Sequence, residues 1–291
     1  MAGMTPNDLP LTLPAGARHV PVEGRRAGRL RSAQDWVAEE VPVALEYNGI
    51  SHAVMLATPQ DLEDFALGFS LTEAIVDGVS DVRGIEVVPS AGGLTVQLEI
   101  ASACFARLKD RRRSLAGRTG CGLCGTESLP QAVRRPPVLA AATQALRFEA
   151  AAVARALQAL RARQPLHEAT GATHAAAWAT ADGMLALVRE DVGRHNALDK
   201  LVGALLRERR GAAAAAAGFA LVTSRASYEM VAKTAYAGIG LLAAVSGVTG
   251  LAVDVAREAG LALAGFARGQ DLNLYTHAGR IAWPDDADHG R

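Results

Sequence analysis

Three times in the second half of the chain a short apolar run passes through a loop of small, polar or cationic residues into a helix-forming stretch. MLALVRE leads through Asp191-Val192-Gly193-Arg194-His195-Asn196 into a helix predicted over Ala197 to Arg207. FALVTS leads through Ser224-Arg225-Ala226-Ser227 into Tyr228 to Gly238, IGLLAAVS leads through Gly247-Val248-Thr249 into Leu251 to Ala259, and LALAGF closes the series. Parallel strands cannot be joined by a tight turn, so alternating strands and helices imply a mainly parallel sheet covered on both faces. THAAAWAT precedes the series as a strand joined to MLALVRE across Asp182-Gly183, behind an alanine-rich helix from Glu149 to Arg163. LNLYTHAGRI is read as a final edge strand.

The first half has a different rhythm. VPVALEY and ISHAVML meet at Asn48-Gly49, the strongest short hairpin signal, and IEVVP and LTVQLEI form a second hairpin around Gly92-Gly93. Between them Thr58-Pro59 has the chemistry of an N-cap and first helical residue, opening a helix whose apolar face runs from Leu62 to Ile75. The predicted organisation is a disordered segment 1–19, a small α+β domain 20–113, a flexible loop 114–135 and an α/β domain 136–287. The run Ala212 to Ala217 reads as a surface linker or helix extension.

With 291 residues the chain is long enough to bury a large core. Half of its residues are hydrophobic, while 30 Lys and Arg balance 30 Asp and Glu. Zero formal net charge removes bulk attraction to nucleic acid or to a membrane surface, so local patches must do the electrostatic work. The chain shows no transmembrane stretch or signal peptide, and three cysteines fit a reducing compartment, so a cytoplasmic protein is expected.

Two of those cysteines lie in Gly120-Cys121-Gly122-Leu123-Cys124-Gly125, after the basic residues Lys109, Arg111, Arg112 and Arg113. Glycines at 120, 122 and 125 disfavour a continuous helix, and nearby arginines favour the thiolate, the reactive form of a thiol whose ordinary pKa is about 8.5. That reading makes Cys121 and Cys124 nucleophiles on a mobile loop. Half a zinc site, a thioredoxin-like dithiol and an inert buried pair are the alternatives. Zinc would need two more ligands at short spacing, yet Cys104 is far upstream and His167 is the nearest downstream histidine. Cys104 itself sits in an apolar run and reads as inert.

Open α/β sheets bind ligands beyond the carboxyl ends of their strands, and free N–H groups at helix starts favour phosphates. The loops at Gly193 to Asn196, Ser224 to Ser227 and Ser246 to Thr249 would converge there, with charge from Arg194, His195, Arg225 and Lys233. Phe266-Ala267-Arg268-Gly269-Gln270-Asp271 follows another strand and would bring a flat ring and a cation to the same rim. Together they suit a large anionic ligand. Glu190 or Asp191 would also be placed to orient His195 as a general base. His174 and His277 are read as core or edge histidines and not as metal ligands.

TGCGLCG, EDVGRHNALDKL, SRASYEMVAKTA and GFARGQDLNLYTHAGRI closely resemble the FdhD family of sulfurtransferases, which serve formate dehydrogenase maturation. The likeness runs from about Val41 to Ile281. It implies a cytidine-deaminase-like α/β/α fold for the second half, a smaller α+β domain before it, and a homodimer. It implies that sulfur is taken as a cysteine persulfide from a cysteine desulfurase and passed to the molybdenum bis(molybdopterin guanine dinucleotide) cofactor, bound as substrate with no permanent metal, for use by formate dehydrogenase. By match to the motif, Cys121 carries the persulfide and Cys124 assists. The cofactor site would comprise Phe266, Ala267, Arg268, Gly269, Gln270 and Asp271, with Gly193, Arg194, His195, Asn196, Ser224, Arg225, Ser227, Lys233, Ser246 and Thr249 from the rim. Zinc deaminases of this architecture carry His-x-Glu and Pro-Cys-x-x-Cys at two helix starts, and this chain carries neither, so deamination is not expected. A non-enzymatic chaperone for the same cofactor is the alternative function.

Overall fold

The computed structural model describes residues 15–115, 134–208 and 218–283. The segment 1–14, the alanine run and both motif cysteines, Cys121 and Cys124, lie outside the described residues. The chain opens with an antiparallel hairpin, β1 (Ala17–Arg26) and β2 (Arg29–Ala38), turning at Ala27-Gly28. Among the described residues regular structure starts at Ala17, ahead of the onset expected near Val20.

A four-stranded sheet follows, built from β3 (Val41–Tyr47), β4 (Ile50–Ala57), β5 (Val82–Ser90) and β6 (Gly93–Ile100) in the order β4-β3-β6-β5. Asn48 and Gly49 both take positive φ, 47° and 79°, as the primed turn of a two-residue hairpin requires. Helices α1 (Leu62–Thr72) and α2 (Ser102–Leu115) accompany this sheet, and Val43, Leu45, Tyr47, Phe65, Phe69, Val96 and Leu98 form its core. Thr58 does not cap α1, whose N-cap is Asp61 in the left-handed region. Thr58 is instead fully buried at the seam between the two halves.

The second half is a six-stranded sheet. Its strands are β8 (His174–Thr180), β9 (Leu185–Asp191), β10 (Gly218–Val222), β11 (Leu241–Ala244), β12 (Ala262–Arg268) and β13 (Asp271–Thr276), in the order β13-β12-β11-β10-β8-β9. The short strands β7 (Phe148–Glu149) and β14 (Ile281–Ala282) pair separately. Strands β10, β11 and β12 are mutually parallel; β8 runs against β10, β9 against β8, and β13 against β12. The expectation of a mainly parallel sheet thus needs correction, because both flanking connections are hairpins. Strands β9 to β12 nonetheless point the same way, so their four carboxyl ends share one rim.

Period-two alternation sends side chains to two cores. Ala176, Trp178, Ala220, Val222, Leu242, Ala244 and Leu263 pack beneath α6 (Arg194–Arg207), α7 (Tyr228–Tyr236) and α8 (Gly250–Ala259). Ala175, Ala177, Phe219, Leu221, Leu241, Ala243 and Ala262 pack against α4 (Ala150–Arg161) on the other face. Two short helices, α3 (Ala141–Ala145) and α5 (Pro165–Thr170), complete this layer.

The halves join where α1 crosses α6. Lys200 is fully buried, 2.7 Å from Asp191 Oδ2, and its ammonium also donates to Thr58 Oγ1 at 2.7 Å. Asp191 Oδ2 accepts from the Thr58 hydroxyl and main-chain N–H. Nearby, Asp64 receives Arg189 and Arg207. Each half supplies acids or hydroxyls that are desolvated only once the other half brings their partners. Among the described residues no helix is long and apolar enough to cross a membrane.

Candidate functional site

The rim loops are tied to one another through the main chain. Ala226 N–H donates to Gly247 O at 3.1 Å, Thr249 N–H to Ala226 O at 3.1 Å, and Phe266 N–H to Ser246 O at 2.9 Å. Thr249 caps α8 by accepting from Ala252 N–H. Phe266 holds a positive φ of 52° and leaves its ring half exposed against Gly247, where an added Cβ would meet the ring at 3.1 Å. A bulky residue in the left-handed region is strained, and such strain concentrates at ligand-binding positions. The conformation follows from the irregular register between β12 and β13, which shifts between Gly265 and Arg268.

Beside these loops lies a cleft of about 1260 Å³, above the size usual for a drug-like ligand. Its walls come from α4, from the α5–β8 connection, from Thr223 and Val245 at the ends of β10 and β11, and from Ala267, Arg268, Gly269 and Gln270. Three arginines, Arg155, Arg161 and Arg268, line it, together with His167 and His174, against one carboxylate, Glu168. Arg155 donates to the main-chain oxygen of Asp182, and neither Arg161 nor Arg268 has a carboxylate partner among the described residues. The cleft is therefore positively biased, as a phosphate-bearing ligand requires.

Of the predicted site residues, Ala267, Arg268, Gly269 and Gln270 line the cleft; Ser224, Arg225 and Ser227, which follow the lining residue Thr223, and Ser246 and Thr249, which follow the lining residue Val245, are not themselves part of its wall. Arg225 is exposed, whereas Ser224 is buried and donates to Arg225 O at 3.0 Å. Ser227 Oγ and Arg194 Nε are buried without a hydrogen-bond partner among the described residues. Asp271 pairs in register with Arg268 at the start of β13 and is not part of the cleft wall.

Lys233, Asn196, Gly193 and His195 depart from expectation. Lys233 is buried in the seam, bonding both oxygens of Asp199 at 2.9 and 3.0 Å together with Thr72 and Glu73. Burial opposes its charge, but Asp199 and Glu73 outweigh burial and hold the ammonium above its ordinary pKa. It is an interdomain tie and not a rim cation. Asn196 Nδ2 is likewise engaged, by Leu56 O at 2.8 Å and Asp191 Oδ1 at 3.1 Å. Gly193 N–H donates to Asp191 Oδ1, and a Cβ at Gly193 would lie 2.9 Å from Asn196 Nδ2, so close packing explains this glycine. His195 Nε2 lies 2.9 Å from Glu229 Oε2, and neither Glu190 nor Asp191 orients it. Glu190 accepts from the N–H groups of Leu166 and His167 and from Thr173 Oγ1. Contact with the His195 imidazole is the main reason Glu229 titrates below the usual carboxylate range.

Sequence reasoning missed the α4 wall, Thr173, Thr223 and His174. His174 is the first residue of β8; because β8 runs antiparallel, its amino end reaches the carboxyl rim of its neighbours. Cys104, expected to be inert, is buried, and burial is the first cause raising its thiol pKa. Arg134, the first described residue after 116–133, is fastened at the seam: its guanidinium donates to Thr72 O at 2.7 Å and lies over the Tyr236 ring, while Tyr228 donates to Arg134 O.

The FdhD/NarQ family model matches residues 38–282. A protein of Bordetella petrii called sulfur carrier protein FdhD is 61% identical over 247 residues, covering 85% of this chain and 87% of its own. The protein of that name from Variovorax paradoxus is 56% identical over 278 residues, covering 96% and 98%. Among solved structures, a protein from Desulfotalea psychrophila described as a formate dehydrogenase accessory protein superposes with a TM-score of 0.71 at 22% identity, over 91% of this chain and 99% of that one. By the extent of the family match and the identity to these relatives, the chain belongs to the FdhD/NarQ family.

Proposed function

We propose that this protein is a sulfurtransferase that accepts persulfide sulfur from a cysteine desulfurase on Cys121, with Cys124 assisting. It passes that sulfur to the molybdenum bis(molybdopterin guanine dinucleotide) cofactor for formate dehydrogenase. The observation that carries this reading is the large, positively biased cleft at the strand ends, in a chain whose relatives are called sulfur carrier proteins. A thiolate is the required nucleophile for persulfide transfer, and the arginines before Cys121 favour it. The cleft would hold the pyrophosphate and guanosine parts of the cofactor, with Arg268 and Arg161 facing negative charge and Phe266 offering a ring at the edge.

The strand order β9-β8-β10-β11-β12, with β8 alone reversed, supports a cytidine-deaminase-like arrangement. The two helix starts where a deaminase would hold zinc carry Gly193-Arg194-His195-Asn196 and Ser224-Arg225-Ala226-Ser227 here, with no thiolate among them. Of these, Arg194 and Ser227, whose Nε and Oγ have no partner among the described residues, and the exposed Arg225 would suit an anion in place of a metal. A homodimer working in the cytoplasm belongs to the same proposal.

Incubation with a desulfurase and cysteine, followed by intact mass measurement, tests it. Wild type should gain the mass of one sulfur atom and Cys121→Ala should not. No gain on wild type, or an equal gain on Cys121→Ala/Cys124→Ala, overturns the persulfide role. An active dehydrogenase matured in a Cys121→Ala background would favour a cofactor chaperone instead.

A further inference from the structure

Two histidines from different elements meet at one end of the cleft, His167 in α5 and His174 at the start of β8. His167 Nδ1 is 2.8 Å from Thr173 O, which fixes its ring. The His174 ring, half-buried, forms no hydrogen bond with another described residue. Arg194 and His195 approach it from the start of α6, and His167 from α5, all of them cations or potential cations. Asp191 is its cross-strand partner on β9, but that carboxylate is already engaged by Thr58, Gly193, Asn196 and Lys200. Glu168, Arg155, Arg161 and Arg268 are the other charged groups lining the cleft.

An imidazole so placed carries no proton readily while the cleft is empty. Burial first, and then Arg194, His167 and His195, push its pKa below the ordinary value of 6.5. A phosphate brought into the cleft reverses the sign of the local potential and adds an acceptor for the ring N–H.

We propose that His174 is a proton-linked contact for a phosphate group in this cleft, neutral when the cleft is empty and protonated when a pyrophosphate occupies it. The inference rests on the dinucleotide reading of the cleft and adds a pH dependence to it. One proton is drawn from solvent per ligand bound, and no electron moves. Between the free and bound pKa values of the ring, affinity falls as pH rises, by up to about tenfold per pH unit; above the bound value the profile is flat.

The test is calorimetric titration of the full chain with diguanosine 5′,5′-pyrophosphate, whose diester phosphates do not titrate near neutrality. It is run in two buffers of different ionisation enthalpy from about pH 5.5 to about pH 8, where histidine changes charge. Wild type should take up close to one proton on binding. His174→Gln should bind with a flat profile and no uptake, and His167→Gln should retain uptake. Binding to wild type without proton uptake overturns the role of His174, as does uptake that survives His174→Gln or vanishes only with His167→Gln. No binding to wild type at any pH overturns the dinucleotide reading itself.

Discussion

Gly68 on α1 and Gly203 on α6 sit at the closest approach of the two halves: a Cβ on the first would overlap Asp199 O, and a Cβ on the second would overlap Asp64 O. Both obstacles are main-chain atoms of a packed helix, which cannot swing aside as a side chain would. Gly68→Ala and Gly203→Ala should each force the helices apart. The cost should be about 1 to 3 kcal/mol, read as a lower denaturation midpoint, despite the better helix propensity of alanine. An unchanged or raised midpoint in either variant would show that the crossing is slack.

The same crossing holds Lys200 and Asp191, both without solvent exposure. Removing one partner leaves a bare charge in a dry site. Lys200→Met or Asp191→Asn alone should therefore destabilise by about 3 to 5 kcal/mol, whereas a buried ion pair replaced as a whole by apolar residues is often close to neutral. Denaturant unfolding of both singles and of Lys200→Met/Asp191→Leu checks this. A double variant as unstable as the sum of the singles would mean that the hydrogen bonds from Thr58, and not the pairing of charges, hold the seam.

Glu73 carries the separate Lys233–Asp199 network of the seam to the surface. Burial pushes its pKa up, but Lys233 and Arg134 more than offset burial, leaving it below the ordinary value of 4.5. A depressed carboxylate contributes stability above its unfolded pKa that is lost as pH falls through the folded one. Wild type should lose part of its stability as acid is added below about pH 4.5, and Glu73→Gln should show a smaller loss over that range. Parallel melting curves for the two proteins across the acid range would remove Glu73 from the acid response.

Local chemistry made much of the fold legible in the sequence. Asn48-Gly49 specifies its hairpin through backbone conformation alone, and the apolar runs of β10, β11 and β12 are too short and too continuous to be surface helices. The hairpin joining β8 to β9 was legible at Asp182-Gly183, but the insertion of β8 beside β10 and the reversal at β13 were not; hence the mainly parallel expectation failed there, and His174, read as a core or edge histidine, was not assigned to the rim. Thr58 and Lys233 carry ordinary signals of a cap and of a phosphate ligand. Their actual partners, Asp191 and Asp199, are more than a hundred residues away for the first and on another helix for the second, and no local pattern announces such pairings. The rim was legible in the order of the elements, since four aligned strands place their following loops on one edge. The α4 wall was not, because a helix rich in alanine gives no sign of which groove it borders.

Arg268 and Lys233 separate the ligand cleft from the structural seam. Arg268 lines the cleft with no carboxylate partner among the described residues, so a bound phosphate would gain a charge-assisted contact of about 1.5 to 3 kcal/mol. Arg268→Ala should weaken binding of diguanosine pyrophosphate by roughly ten- to a hundredfold while leaving the unfolding midpoint nearly unchanged. Arg225→Ala, at the exposed edge of the same rim, should weaken it less. Lys233→Met should do the reverse, lowering the midpoint because Asp199 is left buried without its cation, with affinity per folded molecule preserved. Calorimetric titration and thermal unfolding of the three variants decide the matter. If Lys233→Met loses more affinity than Arg268→Ala at a temperature where both are folded, the phosphate lies toward the seam and the assignment of the cleft is wrong.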